Sequence, residues 1–361
     1  MPVEMIGWIA PRVASEILAP QGPAFNSDVV AGTAKIHERA DFDRVLIGYF
    51  SDAPDGFLIA AHAATAAKRL GLLLAHRPGF VAPTLAARKL ATLDQLSGGR
   101  LAVHIIAGGS DADQAKDGDF TDHAARYRRV SEYISVLRRT WTSTTAFDHA
   151  GEFYRVVGAF SEVRCRQTPH IPIYGGGGSD GAIQALAPHV DRFMLWGEPL
   201  RETAAFMGQV RRAAVAAGRA PPSFSLSTRP ILGATDEEAW DRARDILRRI
   251  EVQRQGVPPP RPQNVGSQRL LAAAAVGEVH DSCLWMKLAE ATGARGNSTA
   301  LVGAADTVAR ALLGYYKLGA TSLLIRGYEP LEDAERFGVE LIPLVRRLVA
   351  EYDAHRLDQA G

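Results

Sequence analysis

Cysteine is scarce: Cys165 and Cys283 are the two in 361 residues, too far apart in the chain for a metal-ligand spacing. A disulfide scaffold is excluded, a reducing cytoplasm is the expected location, and both thiols read as buried or half-buried filler. Charge of one sign is missing too. Lys and Arg total 41 against 40 Asp and Glu, a formal net charge of +1, so there is no basic field to bind nucleic acid by counterion release. No run approaches the roughly 20 apolar residues of a membrane span. The opening MPVEMIGWIAPRVASEI carries Glu4 and no long apolar core, unlike a signal peptide. H-E-x-x-H and the lysine of a P-loop are absent, which leaves zinc hydrolysis weakly supported and excludes a P-loop, and a serine elbow is weakly supported as well.

What is present is a chain with 47% hydrophobic and 22% charged residues, the composition of a packed core. Short apolar runs recur at 4–10, 43–49, 69–76, 100–108, 170–176, 191–197, 224–232 and 321–328. Near-continuous apolar runs imply strands covered on both faces, as in parallel sheets. Helical patterns lie between them, at 82–97, 121–143, 235–253, 304–318 and 329–352. Eight strands alternating with helices predict a (β/α)₈ barrel over 1–361 as one domain, with an open doubly wound sheet as the alternative. Residues 254–303 then form an insertion between strands seven and eight. It opens on the proline-rich RQGVPPPRPQNVG and is expected to act as a lid over the active-site face.

Several motifs fall at strand ends, where barrels place their chemistry. IYGGGGSDGA, 173–182, satisfies G-x-G-x-x-G through Gly176, Gly178 and Gly181, with Glu198 about 20 residues on. It reads as a dinucleotide turn, as a site where Gly178, Ser179 and a helix N-terminus hold a single phosphate, or as a tight turn only. His123 and Tyr127 share one helix face, where they bind a phosphate together or form an ordinary polar surface. His76 ends strand three. His104 lies inside strand four, as a core histidine or as a group reaching a cofactor ring. Arg229 in strand seven, Arg295 in GARGNSTALVG, and Arg326 with Tyr328 in IRGYEPLEDA crowd the far rim with cations. Few carboxylates accompany them, which points to an anionic substrate.

Taken in order, RPGFVAPTLAARKLATLDQLSGGRLAVHIIAGGSD, the His123–Tyr127 pair, FDHAGEFYRVVGAFSE, YGGGGSDGA, LWGEPL, NVGSQRLLAAAA and GNSTALVG…LIRGYEPLEDA resemble the bacterial luciferase-like flavin monooxygenases. Within them the FMNH₂-dependent alkanesulfonate monooxygenases are the most similar. The resemblance spans nearly the whole chain. It implies a luciferase-like (β/α)₈ barrel with a lid, and reduced FMN supplied by a separate NAD(P)H-dependent flavin reductase. It implies oxidation by O₂ that releases sulfite and an aldehyde from a sulfonate, and a homodimer or homotetramer. It assigns the FMN phosphate to His123, Tyr127 and Ser179, the flavin ring to the neighbourhood of His76 and His104, and the pocket wall to Trp196.

Departures fall on the substrate side. Characterised alkanesulfonate enzymes carry Arg-x-His in strand seven and Tyr-Pro-His after strand eight. Here those places hold Ser227-Thr228-Arg229 and Tyr328-Glu329-Pro330, Pro54 replaces a cysteine, and Arg12 replaces a histidine. The expectation is that Arg229 and Arg295 bind the anion and Tyr328 serves as general acid or base. Arg12, Arg326 and Trp196 would complete the substrate shell. A flavin or deazaflavin oxidoreductase acting on a non-sulfonate, a non-catalytic flavin-binding relative and a dinucleotide-dependent dehydrogenase are the alternatives.

Overall fold

The computed structural model describes residues 3–296 and 298–358. Asn297 in GNSTALVG and the ends of the 1–361 span lie outside the described residues. Among those described, eight parallel strands close into a barrel: β1 (Glu4–Ile9), β2 (Arg44–Ile47), β3 (Gly71–His76), β4 (Leu101–Ile105), β5 (Ile173–Gly176), β6 (Arg192–Trp196), β7 (Ser223–Gly233) and β8 (Ala320–Ile325). Each pairs with its neighbour in chain order, and β8 returns to β1. The open-sheet alternative is thereby excluded. No described helix is long and apolar enough to cross a membrane.

Strand alternation divides the core in two. Outward residues such as Val45, Leu72, Leu74, Val103, Phe193 and Leu226 pack against the helical shell. Inward residues Ile6, Leu46, Leu73, Ala102, Tyr174 and Leu324 fill the lumen. The N-terminal end is plugged by Glu4, which takes Arg44 Nε at 3.1 Å, the Ser322 hydroxyl at 2.6 Å, the Tyr174 hydroxyl at 3.0 Å and an Arg192 ion pair. Burial alone would raise the Glu4 carboxyl, but the two guanidiniums hold it below its ordinary value. With that end closed, the lumen opens only at the strand C-termini, where the loops lie.

The helices are α1 (Ser27–Arg39), α2 (Gly56–Ala66), α3 (Pro83–Leu96), α4 (Asp111–Lys116), α5 (His123–Thr142), α6 (Asp180–Leu186), α7 (Leu200–Ala216), α8 (Asp236–Arg254), α9 (Val265–Val276), α10 (Lys287–Thr292), α11 (Ala305–Leu318), α12 (Pro330–Arg336) and α13 (Ile342–Asp358). The span 329–352, read as one helix, is interrupted by a π-helical turn at Phe337–Leu341. Gly338 lies there against Ala40, whose Cα would be 2.6 Å from an added methyl. Close packing at Gly338 accompanies the irregularity, as does Pro343 just beyond it, which has no N–H to bond back into the turn.

β7 is the unusual strand. Its first half pairs with β6 and β8, but from Arg229 onward it pairs with a parallel strand at Ala300–Ala304. That strand continues into two short antiparallel strands, Leu284–Trp285 and Val279–His280. Ile231, Ala239, Ala243, Ile246, Trp285, Leu288 and Val302 form a small separate core between this extension and α8. The excursion from the barrel thus begins at Arg229 and includes α8, well before residue 254.

Candidate active site

The glycine run after β5 is there for space rather than for turning. None of Gly175–Gly178 has positive φ. A methyl on Gly177 would lie 2.8 Å from Tyr127 Oη, and one on Gly178 would lie 2.7 Å from the backbone nitrogen of Gly266. Ser179 caps α6, its Oγ accepting the Ala182 N–H at 3.1 Å. The Tyr127 hydroxyl bonds to the same Ser179 side chain, and burial raises the phenol's pKa. His123, the first residue of α5, meets the Tyr127 ring edge-on at 5.0 Å. His123, Tyr127, Gly178 and Ser179 therefore converge on one short stretch of bare backbone. Two hydroxyls, an imidazole and backbone without side chains suit a single phosphate monoester in size and donor type.

The roof of this cradle comes from the insertion. Asn264 caps α9, accepting the Ser267 N–H at 2.7 Å, and rests against Gly109. Gln263 Oε1 accepts the Asp111 N–H at 3.1 Å. Trp196, projecting from β6 on the lumen side, packs on Gly266. Glu198, the acid at dinucleotide spacing, is taken by Arg269 of α9 through Nε at 2.7 Å and a second contact from Nη2. It is committed to an ion pair and offers no free carboxylate to a ribose.

The two rim histidines are not brought together. His104 alternates with Ala102 and Ile106 and projects into the lumen, where burial pulls its pKa down to about 4. His76 points the other way, into the helical layer. Its Nε2 lies 2.6 Å from Tyr133 Oη and its ring meets Phe57 edge-on at 5.6 Å. Burial and Lys89 hold it neutral at about 4. The expectation that His76 adjoins a flavin ring is corrected by strand parity, because β3 ends one residue out of phase with the lumen.

At the β8 end a cleft of about 570 Å³ holds Arg12, Arg229, Arg295 and Arg326 together with Glu16. The expectation of Arg229 as a free anion-binding cation is corrected here. Its guanidinium is 1% exposed. Nη1 and Nη2 donate to the Glu16 carboxylate at 2.8 and 2.9 Å, Nε donates to the Arg326 carbonyl at 3.1 Å, and Nη2 also donates to the Gly327 carbonyl at 2.9 Å. Burial alone would raise the Glu16 carboxyl, but Arg229 and Arg326 bring it down to about 2. Arg326 donates to Glu16 at 3.3 Å and to the Gly296 carbonyl at 3.2 Å, and its guanidinium lies 5.2 Å from the Trp8 ring. Burial, then Arg229, lowers it to about 10, so it stays charged at neutral pH. Arg12 and Arg295 line the same cleft without an ion-pair partner among the described residues.

Tyr328 is also displaced from its expected role. It is fully buried beside Ile231, Trp285 and Val302, with Arg229 stacked 3.9 Å from its ring. Its hydroxyl has no hydrogen-bond partner among the described residues, and burial raises its pKa far above the ordinary phenol. β8 sends Ser322, Leu324 and Arg326 inward, and the chain has turned away by Tyr328.

The family model for luciferase-like monooxygenases matches residues 4–322. The chain belongs to the luciferase-like monooxygenase family. Solved relatives share its fold at low identity. A riboflavin lyase bound to a modified FMN and riboflavin superposes at a TM-score of 0.78 with 18% identity, covering 96% of this chain and 92% of that one. The EDTA monooxygenase of Chelativorans sp. BNC1 gives 0.76 and 17%, covering 96% and 94%. A monooxygenase from Streptomyces bottropensis gives 0.66 and 23%, covering 94% and 99%.

Within this luciferase-like barrel, sequence reasoning missed Glu16 altogether, and with it the pairing that occupies Arg229. The missed roof residues, Asn264 and Gly266, did leave a signal. An Asn directly before an apolar run, as Asn264 stands before VGSQRLLAAAAV, marks a helix start.

Proposed function

We propose that this luciferase-like chain is a reduced-FMN-dependent monooxygenase acting on an organic anion, with C–S cleavage of an alkanesulfonate to sulfite and an aldehyde as the favoured reaction. One observation carries the reading. A cradle suited to one phosphate and a cleft with unpaired cations lie at the same end of one lumen, joined across the mouth by the insertion. His123, Tyr127 and Ser179 would hold the FMN phosphate. Neutral His104, in the lumen, can donate or accept one hydrogen bond toward the ring. When bound, reduced FMN supplies the two electrons with which one atom of O₂ enters the substrate and the other leaves as water.

The protein's own share is orientation, charge and exclusion of water. Arg12, Arg295 and the spare edge of Arg326 would bind the anion. Arg229 is not one of those donors; with Glu16 it fixes the position of Arg326. The insertion reaches both ends, resting on Gly178 through Gly266 and accepting from Arg326 at Gly296, and would act as the lid. A separate flavin reductase would deliver the reduced cofactor.

The test is a screen for sulfite release over sulfonates, with FMN, NADH, O₂ and a flavin reductase present. Oxidised product without sulfite would retain the monooxygenase and reject C–S cleavage. Binding of NADH without binding of FMN would reject the whole reading.

A further inference from the structure

The arginine cleft does not end at its cations. Beyond Arg326 it leaves the lumen and runs between α1 and α12, where Val29, Phe42, Leu331, Ala334 and Phe337 line it. The one ionisable group on this inner wall is already satisfied. His37 Nδ1 donates to the Thr33 carbonyl at 2.8 Å, and Nε2 accepts the Trp8 N–H at 3.4 Å. The inner part therefore offers apolar surface and no spare charge, while the outer part offers Arg12, Arg295 and Arg326. Its about 570 Å³ lies within the range of small-molecule sites. A two-carbon anion held at the arginines would leave the space between the helices unused.

We propose that the cleft between α1 and α12 is a subsite for the apolar body of the substrate, so that the substrate class is an amphiphilic anion, a charged head on a hydrocarbon body. This rests on the reading that the arginines bind the anionic head. Hydrophobic transfer then sets the preference, at about fourfold in affinity for each methylene that becomes fully buried. Head recognition and body recognition occupy separate walls, so they can be altered separately.

The experiment is calorimetric titration of the full chain with ethanesulfonate, octanesulfonate and octanol, which needs neither flavin nor turnover. The expected result is octanesulfonate binding about tenfold or more tighter than ethanesulfonate, with octanol weaker than octanesulfonate. Val29→Trp and Leu331→Trp intrude from opposite walls at half-buried positions. Each should bring the octane-to-ethane ratio toward one, and either folded variant suffices. Equal affinities in the unaltered protein, or a ratio that survives both tryptophans, overturns the subsite. Octanol binding as tightly as octanesulfonate overturns the anionic class. Tight octanesulfonate binding without O₂-dependent oxidation by reduced FMN leaves the subsite standing and rejects the monooxygenase reading instead.

Discussion

At the β5 end of the barrel, two hydroxyls, an imidazole and a stretch of bare backbone converge without a lysine or arginine among them. At the β8 end, four guanidiniums line one cleft and two of them, Arg229 and Arg326, share the Glu16 carboxylate. The first arrangement is made by side chains from the first turns of two helices and by bare backbone, whose positions follow from the local chain. The second is made by long side chains from four distant segments, which stay in place only because Glu16 ties two of them down. A generic phosphate can be met by geometry alone. A charged substrate end needs cations that are held yet not all neutralised, and the same carboxylate decides which remain available.

The largest effect should come from breaking that tie. Glu16→Ala strands Arg229 in a buried position, which costs about 3–5 kcal/mol for a broken buried pair. Urea denaturation should show the loss, and a change below about 1 kcal/mol would mean the pair is dispensable. Arg229→Ala should likewise lower stability, not turnover alone. Acid titration separates paired carboxylates from buried histidines. Glu16 sits at about 2 against an ordinary 4.5, so its stabilisation is complete above about 4.5 and disappears as pH falls toward 2. The buried histidines His37, His76 and His104 lie near 4 against 6.5. Their neutral forms favour the fold, and that contribution is lost as pH falls from about 6.5 to 4. Asp119, held at about 2 against burial by Arg129 and Thr121, shares the lower window, so Glu16→Gln should shrink that window and leave the upper one unchanged, as read from urea midpoints across pH.

At the other end the effect should be smaller and confined to the cofactor. Ser179→Ala removes a donor facing the cradle and the cap of α6. FMN affinity should fall about tenfold or more, as for one hydrogen bond to a charged group, while riboflavin, lacking the phosphate, should change little. Fluorescence titration with both flavins checks this, and equal losses for both would move the phosphate elsewhere. Gly178→Ala probes the roof. Its methyl would meet Gly266 at 2.7 Å, so the start of α9 must shift. Proteolysis within 254–263 should then quicken, with the barrel's unfolding midpoint nearly unchanged.

The two ends also differ in how far they could be read from sequence. All eight strands were legible, because a strand covered on both faces must be apolar along its length. The cradle was legible for a related reason: glycine runs, N-caps and an i,i+4 pair are local patterns. The arginine end was not. Arg229 and Glu16 are 213 residues apart, and nothing in PRVASEILAP marks one acid among loop residues as the partner of a buried cation. Nor could SFSLSTRPILG show that β7 changes partners at Arg229, because the strand it turns to, Ala300–Ala304, lies far along the chain. His76 failed for a subtler reason. A run such as GLLLAH carries no alternation, so nothing told which face its last residue takes.

Tyr328→Phe should have the smallest effect on stability, and it bears directly on the contrast between the ends. As a general acid at the mouth, the phenol would contribute about 10²–10⁴-fold to turnover, and its loss would be plain in kcat. The structure places it behind Arg229, buried, with its hydroxyl unpartnered. Removing an unsatisfied buried hydroxyl costs no hydrogen bond and relieves a desolvation penalty, while the ring that carries Arg229 is kept. The urea midpoint should therefore hold or rise slightly, and kcat on the best sulfonate should stay within about threefold, a difference under 1 kcal/mol. A hundredfold fall in kcat with unchanged stability would put the hydroxyl at the reacting atoms. The β8 end would then have to open, releasing Arg229 from Glu16, before the substrate reacts.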